Sequence, residues 1–360
     1  MFFYITHNEE KRTSPFSVTK KIGKFKVSLD AGWHSSGHVL YKGYCIDRPL
    51  QHKVRDRNFT EQAGNYVILD FSDGGCGVHY DDSRSFPLYH DQHTVTNQKD
   101  TSMTAVWFDG AVRYCNDVWE LVYREENSVK YPTVMEHLTK EQLVDRYCEY
   151  LVNSVYFFNT DLPFFCADSN GVDSLVIKSA FDYCGIGYQL VDHNSERFQH
   201  LGWGYRQIFV TDTPHIQLTG FCGDELMLRN PLYVQWLLDP HNINLADEFD
   251  KVEHSYMKGF FNKHYKTKVG GQVGKYSTVA EAYEHTANVA FNDYQMWHVD
   301  NTITFTPFRN IAMALECFRA DPDTMLDQVI HAGFSKDIIR RLNKRNLELM
   351  STHKNDVSVG

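Results

Sequence analysis

The sequence predicts two halves of different class: an α+β half dominated by short strands over residues 1–128, then an α/β half with a parallel sheet over 129–360. Three observations predict it. Ahead of residue 128, short apolar or alternating runs are punctuated by Asp and Gly turn residues. Past residue 139, strand-like runs alternate with helix-like ones, the pattern of a parallel sheet with helices on both faces. Between them, Leu121 to Pro132 is polar and carries Arg124-Glu125-Glu126-Asn127, and the boundary is placed there. A chain of 360 residues fits two domains at ~150 residues each.

In the first half, Gly23 to Leu29, His38 to Asp47, Asn65 to Phe71, Gly77 to Tyr80, Met103 to Phe108 and Ala111 to Tyr114 read as strands. Asp73-Gly74-Gly75 and Asp109-Gly110 read as hairpin connections.

The second half opens with Thr139-x-x-Gln142, a capping box ahead of Leu143, Val144, Tyr147, Leu151, Val152 and Val155 at helical spacing. Phe164 to Ala167 is an apolar run that ends in Asp168-Ser169-Asn170-Gly171-Val172-Asp173-Ser174, and Leu175 to Tyr183 reads as a helix. Strand, tight loop and helix aim backbone N–H groups and a positive dipole end at an anion. Ser169 and Ser174 add hydroxyls for phosphate, and Asp173 adds a carboxylate of the kind that holds Mg2+ against phosphates. The same residues also suit an ordinary strand-to-helix turn. Tyr188 to Val191, Gln207 to Val210 and Ile216 to Leu218 read as further strands of the sheet. Thr219-Gly220-Phe221-Cys222-Gly223-Asp224-Glu225-Leu226 leaves the last of them with glycines and carboxylates, so two strand-end loops can face one metal–phosphate group.

From Asn230 the chain reads as largely helical, with a Gly- and Lys-rich interruption over Lys266 to Tyr276 that suits either a lid or a surface loop. Helices are expected over Ile311 to Phe318, from Pro322 to Ile330 with Asp321 as N-cap, and from Lys336 to about Leu349 with Ser335 as cap.

Composition narrows the function classes. A formal net charge of −10 gives overall charge no pull on nucleic acid, so nucleic acid is not an expected partner. The eight cysteines are scattered with no C-x-x-C pair, which argues against a zinc module or disulfide framework and for a reducing compartment. Met1 to Ile5 is too short for a signal sequence, and no apolar run nears the ~20 residues of a membrane span. The expectation is a soluble cytoplasmic protein with no membrane partner.

Taken in order, these segments resemble the asparagine synthetases and their relative β-lactam synthetase. Ser169-Asn170-Gly171-Val172-Asp173-Ser174 resembles that family's S-G-G-x-D-S pyrophosphatase loop, and Thr219 to Leu226 its S-G-E-G-A-D-E-L segment. Pro307-Phe308 resembles the start of its P-F-L-D motif, and Lys336-Asp337-Ile338-Ile339-Arg340 its K-x-x-L-R. Gly64 to Asp70, Asp81 or Asp82, and Pro87-Leu88-Tyr89 resemble its glutaminase-type domain. The resemblance implies an Ntn-hydrolase-like first half of two layered β-sheets flanked by helices, and a PP-loop second half of the adenine nucleotide alpha-hydrolase type. It implies ATP and Mg2+ as cofactors, a small-molecule carboxylate with an amine or ammonia as substrates, and allows a homodimer. Ser169, Asn170, Gly171, Val172, Asp173, Ser174, Gly220 and Gly223 would hold the nucleotide, Asp173 and Asp224 the metal, and Lys336, Asp224 and Glu225 would form the catalytic set.

Four departures refine this. Residue 2 is Phe where a glutaminase of this type carries its nucleophilic Cys, so glutamine hydrolysis is expected to be absent. Phe221 stands where the family has the Glu of S-G-E, and a phenyl ring does no general-base work, leaving Glu225, Cys222, His215 or solvent. Asn170 replaces the first loop Gly, and Asn tolerates left-handed backbone. Around Pro307, Ile303, Phe305, Arg309 and Asn310 replace the family's flanking residues, so aspartate is not the expected substrate. The expected function is an adenylating amide ligase without glutaminase activity. The alternatives are a degenerate nucleotide- or partner-binding member, or another pyrophosphatase-loop enzyme such as a tRNA-modifying one or NAD synthetase.

Overall fold

The computed structural model describes residues 3–7, 18–30, 32–45, 48–59, 64–81, 88–97, 102–106, 110–115, 117–123, 137–158, 161–192, 194–200, 207–220, 223, 228, 232, 234, 275, 301–308, 313 and 316–350. The boundary expected near residue 128, and the stretches Asp247 to Tyr265 and nearly all of Lys266 to Tyr276, lie outside them.

Two antiparallel sheets make up the first half. One contains β1 (Phe3–Thr6), β2 (Val18–Ile22), β3 (Phe25–Leu29), β8 (Leu88–His90), β9 (Thr94–Thr96) and β10 (Thr104–Val106), in the order β10-β8-β9-β1-β3-β2. The other contains β4 (His34–Ser36), β5 (Val39–Cys45), β6 (Gly64–Asp70), β7 (Cys76–Tyr80), β11 (Gly110–Cys115) and β12 (Val118–Tyr123), in the order β12-β11-β7-β6-β5-β4. Successive strand residues face opposite ways, and β6 uses both faces. Val67 and Leu69 join Phe3, Ile5, Val27 and Val95 in the core between the sheets. Tyr66 and Ile68 point the other way, onto Leu50 and Val54 of α1 (Leu50–Arg55). Burial on both faces is why this strand reads as a nearly continuous apolar run.

Asp73-Gly74-Gly75 does join a hairpin, β6 to β7. Asp109-Gly110 does not: β10 pairs with β8 in one sheet and β11 with β7 and β12 in the other. A turn dipeptide signals a break in direction, while burial of each strand's apolar face decides its partner. The tight hairpin is β11 to β12, with Cys115 paired to Val118 and Asp117 at φ 64°. Strand β12 thus runs into the stretch expected to be linker.

The second half is built on four parallel strands, β13 (Phe164–Ala167), β14 (Gln189–Val191), β17 (His215–Leu218) and β18 (Thr302–Phe305), in the order β14-β13-β17-β18. Gln207 to Val210 corrects the expectation: β16 (Gln207–Phe209) pairs antiparallel with β15 (Phe198–His200) in a separate two-stranded ribbon. Strand β18 falls in a region expected to be helical. Its alternating Thr302, Ile303, Thr304 and Phe305 are β-branched or aromatic, the types that favour strands.

Helix α2 (Lys140–Phe157) begins at the expected capping box: Thr139 Oγ1 accepts from Gln142 N at 3.3 Å, and Gln142 Oε1 accepts from Thr139 N at 3.0 Å. It buries Leu143, Tyr147, Leu151 and Val155 against α3 (Val172–Cys184), each worth about 1.5–3 kcal/mol on leaving water. Helix α3 stops at Gly185, whose φ of 69° no β-carbon opposes. Helix α4 (Pro322–His331) starts as expected, with Asp321 accepting from Thr324 N at 2.8 Å. Helix α5 (Gly333–Asn343) starts earlier than expected, after Ala332 at φ 53°, and a 3-10 turn (Lys344–Leu349) follows. Ser335 is therefore no cap. It is buried inside α5, where Gln328 donates to its Oγ at 2.8 Å and accepts from its N at 2.9 Å.

Tyr44 of β5 joins the halves. It belongs to the second core, with ring centroids 4.5 Å from Phe158 and 5.1 Å from Phe305. Its hydroxyl donates to the Thr304 carbonyl at 3.3 Å and accepts from Thr306 N at 3.1 Å. Among the described residues no helix is long and apolar enough to cross a membrane. Burial pushes the Cys166 thiol up to about 11 and Cys148 up to about 12, in keeping with cysteines that act as small core residues.

Candidate functional site

From β13 the chain passes through α3 to β14 on one side, and later returns to β17 on the other. The carboxyl ends of β13 and β17 therefore flank a topological switch point, where loops diverge and leave a crevice in sheets of this kind. The Ser169 loop leaves β13 there, and Thr219-Gly220 leaves β17 beside it.

The first loop turns tightly into α3. Gly171 N donates to Ser169 Oγ at 3.3 Å, and Ser169 Oγ lies 3.4 Å from Ser174 Oγ. Gly171 is the N-cap, and no side chain caps the helix. The first turn, with Val172, Asp173 and Ser174, thus brings helix N-terminal N–H groups and two hydroxyls to one place.

The second loop is seated directly on that turn. A β-carbon on Gly220 would lie 2.6 Å from both the Asp173 carbonyl carbon and Ser174 N, and one on Gly223 would lie 2.8 Å from Asp173 Cγ. Glycine alone permits this approach. Gly223 N closes the turn onto the Gly220 carbonyl at 3.1 Å. The expected nucleotide residues Ser169 to Ser174, Gly220 and Gly223 are therefore one constellation. Asp224 and Glu225, with Phe221 and Cys222, lie outside the described residues.

Lys336 lies in the first turn of α5, a helix that packs on α3. Asn343 and Asn346 donate to Asp182 at 2.8 and 2.9 Å, and Asn346 also donates to Ser179 at 3.0 Å, so the carboxyl ends of α3 and α5 meet. Burial pulls the half-buried Lys336 ammonium below the usual lysine range; Asp327 opposes this, Arg340 adds to it and Asp337 opposes it. Lys140, 2.9 Å from Asp327 and 2.6 Å from Asp337, holds both carboxylates.

His215 is excluded as a stand-in base for Phe221. It opens β17 at the amino end of the sheet, four residues from the site end, and is fully buried. Its Nδ1 lies 2.9 Å from Thr211 Oγ1 and its Nε2 3.1 Å from the Phe209 carbonyl.

One site residue escaped sequence reasoning. Lys178 on α3 is 3% exposed, and its Nζ donates to the Ser169 carbonyl at 2.8 Å. The available signal was its place inside Leu175-Val176-Ile177-Lys178-Ser179-Ala180-Phe181, a run with no other charge.

The arrangement fits an anion held with a hard cation. Asp173 and the two hydroxyls are oxygen donors, and Mg2+ commonly takes one or two carboxylates and completes its shell with phosphates and water. Among the described residues no three or more His, Cys, Asp or Glu converge on a metal position, so a dedicated protein cage is not what they offer. The fold and site define an α+β half joined to an α/β half with a strand–loop–helix suited to anions at its switch point. No protein-family model and no curated protein matches the chain.

Proposed function

We propose that the chain is an asparagine-synthetase-like, ATP-dependent carbon–nitrogen ligase that forms AMP and pyrophosphate, activating a carboxylate for attack by ammonia or an amine. The observation that carries the reading is the seating of Gly220 and Gly223 on Asp173 and Ser174, which joins the two segments of the resemblance in one crevice. The first half is then an Ntn-like scaffold without glutaminase activity, and the second a PP-loop domain.

In this reading the N-terminal turn of α3 and the hydroxyls of Ser169 and Ser174 bind the β and γ phosphates. Asp173 holds Mg2+, which supplies charge neutralisation at the phosphates. Lys336 would act as an electrostatic clamp on charge that develops as pyrophosphate departs. The residue ahead of β1 is Phe2, with no nucleophile to open glutamine. Phe221 favours a second reading, a protein of this type that binds nucleotide or a partner without chemistry.

The test mixes the protein with MgATP, an ammonium salt and a library of amino acids, and follows products by mass spectrometry. AMP, pyrophosphate and an amide are expected. ADP with phosphate would refute adenylation, and binding without turnover would favour the second reading. Glutamine in place of the ammonium salt is expected to release no glutamate.

A further inference from the structure

Resting on the reading of the Ser169 loop as a phosphate-binding loop, we infer that Lys178 aims that loop: it grips the Ser169 carbonyl from beneath, turns the Asn170 N–H into the crevice and places a buried positive charge under the bound anion. Side chains on a helix lean toward its N-terminus, and Lys178, two turns into α3, runs back to the Ser169 carbonyl at 2.8 Å. The C=O and N–H of one trans peptide point opposite ways. With the Ser169 carbonyl held on the buried side, the Asn170 N–H of the same peptide faces the side open to an anion. Asn170 has less backbone freedom than a glycine, and the grip from below selects one orientation.

The electrostatics point the same way. An ammonium has three donors. Among the described residues Lys178 meets one acceptor, that carbonyl, and no carboxylate within ion-pair distance. A buried charge without a counter-charge is costly, and a cation near a helix N-terminus opposes the helix dipole. Both costs fall when a phosphate chain occupies the loop. Lys178 is thus a positioning residue.

Inorganic pyrophosphate and MgATP are titrated by calorimetry into wild type, Lys178→Met and Lys178→Arg, alongside melting curves. Lys178→Met is expected to melt at or above the wild-type temperature, having lost an uncompensated buried charge, yet to bind pyrophosphate about tenfold or more weakly. Lys178→Arg, which keeps charge and donors, is expected to recover most of the affinity. If Lys178→Met binds pyrophosphate as wild type does, the inference fails and the ligase reading stands. If wild type binds pyrophosphate, Lys178→Met does not, and no amide forms, the inference stands and the ligase reading fails. Wild type that binds neither pyrophosphate nor MgATP overturns both. Should Lys178→Met not fold, wild type labelled with 15N-asparagine decides: the Asn170 amide signal, identified by its loss in Asn170→Gly, must move with pyrophosphate, and a stationary signal overturns the inference.

Discussion

Replacing Gly220 by Ala tests the seating of one loop on the other. The added β-carbon would lie 2.6 Å from two backbone atoms of Asp173 and Ser174, and neither belongs to a flexible side chain that could swing away. To regain an ordinary 3.4 Å the loop must retreat by 3.4 − 2.6, about 0.8 Å. Overpacking of this sort costs about 1–3 kcal/mol, which in a domain of this size lowers the melting temperature by about 2–10 °C. A shift near 1 Å in a reacting geometry costs about 10²-fold in rate, so turnover is expected to fall further than stability. Gly187→Ala is the control, because nothing lies within 4 Å of its added carbon. Thermal melting, MgATP calorimetry and AMP release are measured on both variants. If Gly220→Ala melts, binds and turns over like Gly187→Ala, the loop after β17 is not seated on α3, and the two-loop site falls with it.

Asp173→Asn is expected to lose MgATP binding or turnover while keeping the wild-type melting curve; unchanged affinity and turnover would reduce the motif to a structural turn. Lys336→Ala is expected to lower turnover by about 10² or more with little change in ATP affinity, since the clamp acts on charge present only as the bond breaks; normal turnover would make Lys336 a surface residue. His79 is lowered to about 4 by burial, with Asp70 opposing and Lys53 and Arg57 adding. Its unfolded form takes a proton near pH 6.5, so its contribution is intact above that pH and is lost as pH falls toward 4. The loss is on the order of 3 kcal/mol at most. Urea titrations across this range should show a steeper fall for wild type than for His79→Leu, and equal slopes would refute the assignment.

What the sequence made legible was local. Thr139 with Gln142, and Asp321 with Thr324, fix helix starts through contacts three residues long, so their side chains announce them. The strand–loop–helix at Ser169 was legible for the same reason. Partner choice was not. The apolar run at Gln207 reads as a strand wherever it goes, and only the assembled chain sends it to β15 rather than the parallel sheet. Ser335 carries cap chemistry, but Gln328, seven residues back, recruits it into the core. Lys178 stands out in the sequence only as the single charge of an apolar run, and its partner is not readable until α3 is packed and the Ser169 carbonyl falls within its reach.

Tyr44 bears on why a half without the nucleophile its resemblance calls for would be kept at all. Its ring closes over Phe158 and Phe305, and its hydroxyl satisfies Thr306 at the carboxyl end of β18, beside the strand that feeds the site. A shortened chain starting past residue 137 would bare those aromatic faces and remove the hydroxyl to which Thr306 N donates. Whatever its own chemistry, the first half serves as a wall of the other half, and gene truncation would be tolerated only where some other surface covered the same two rings.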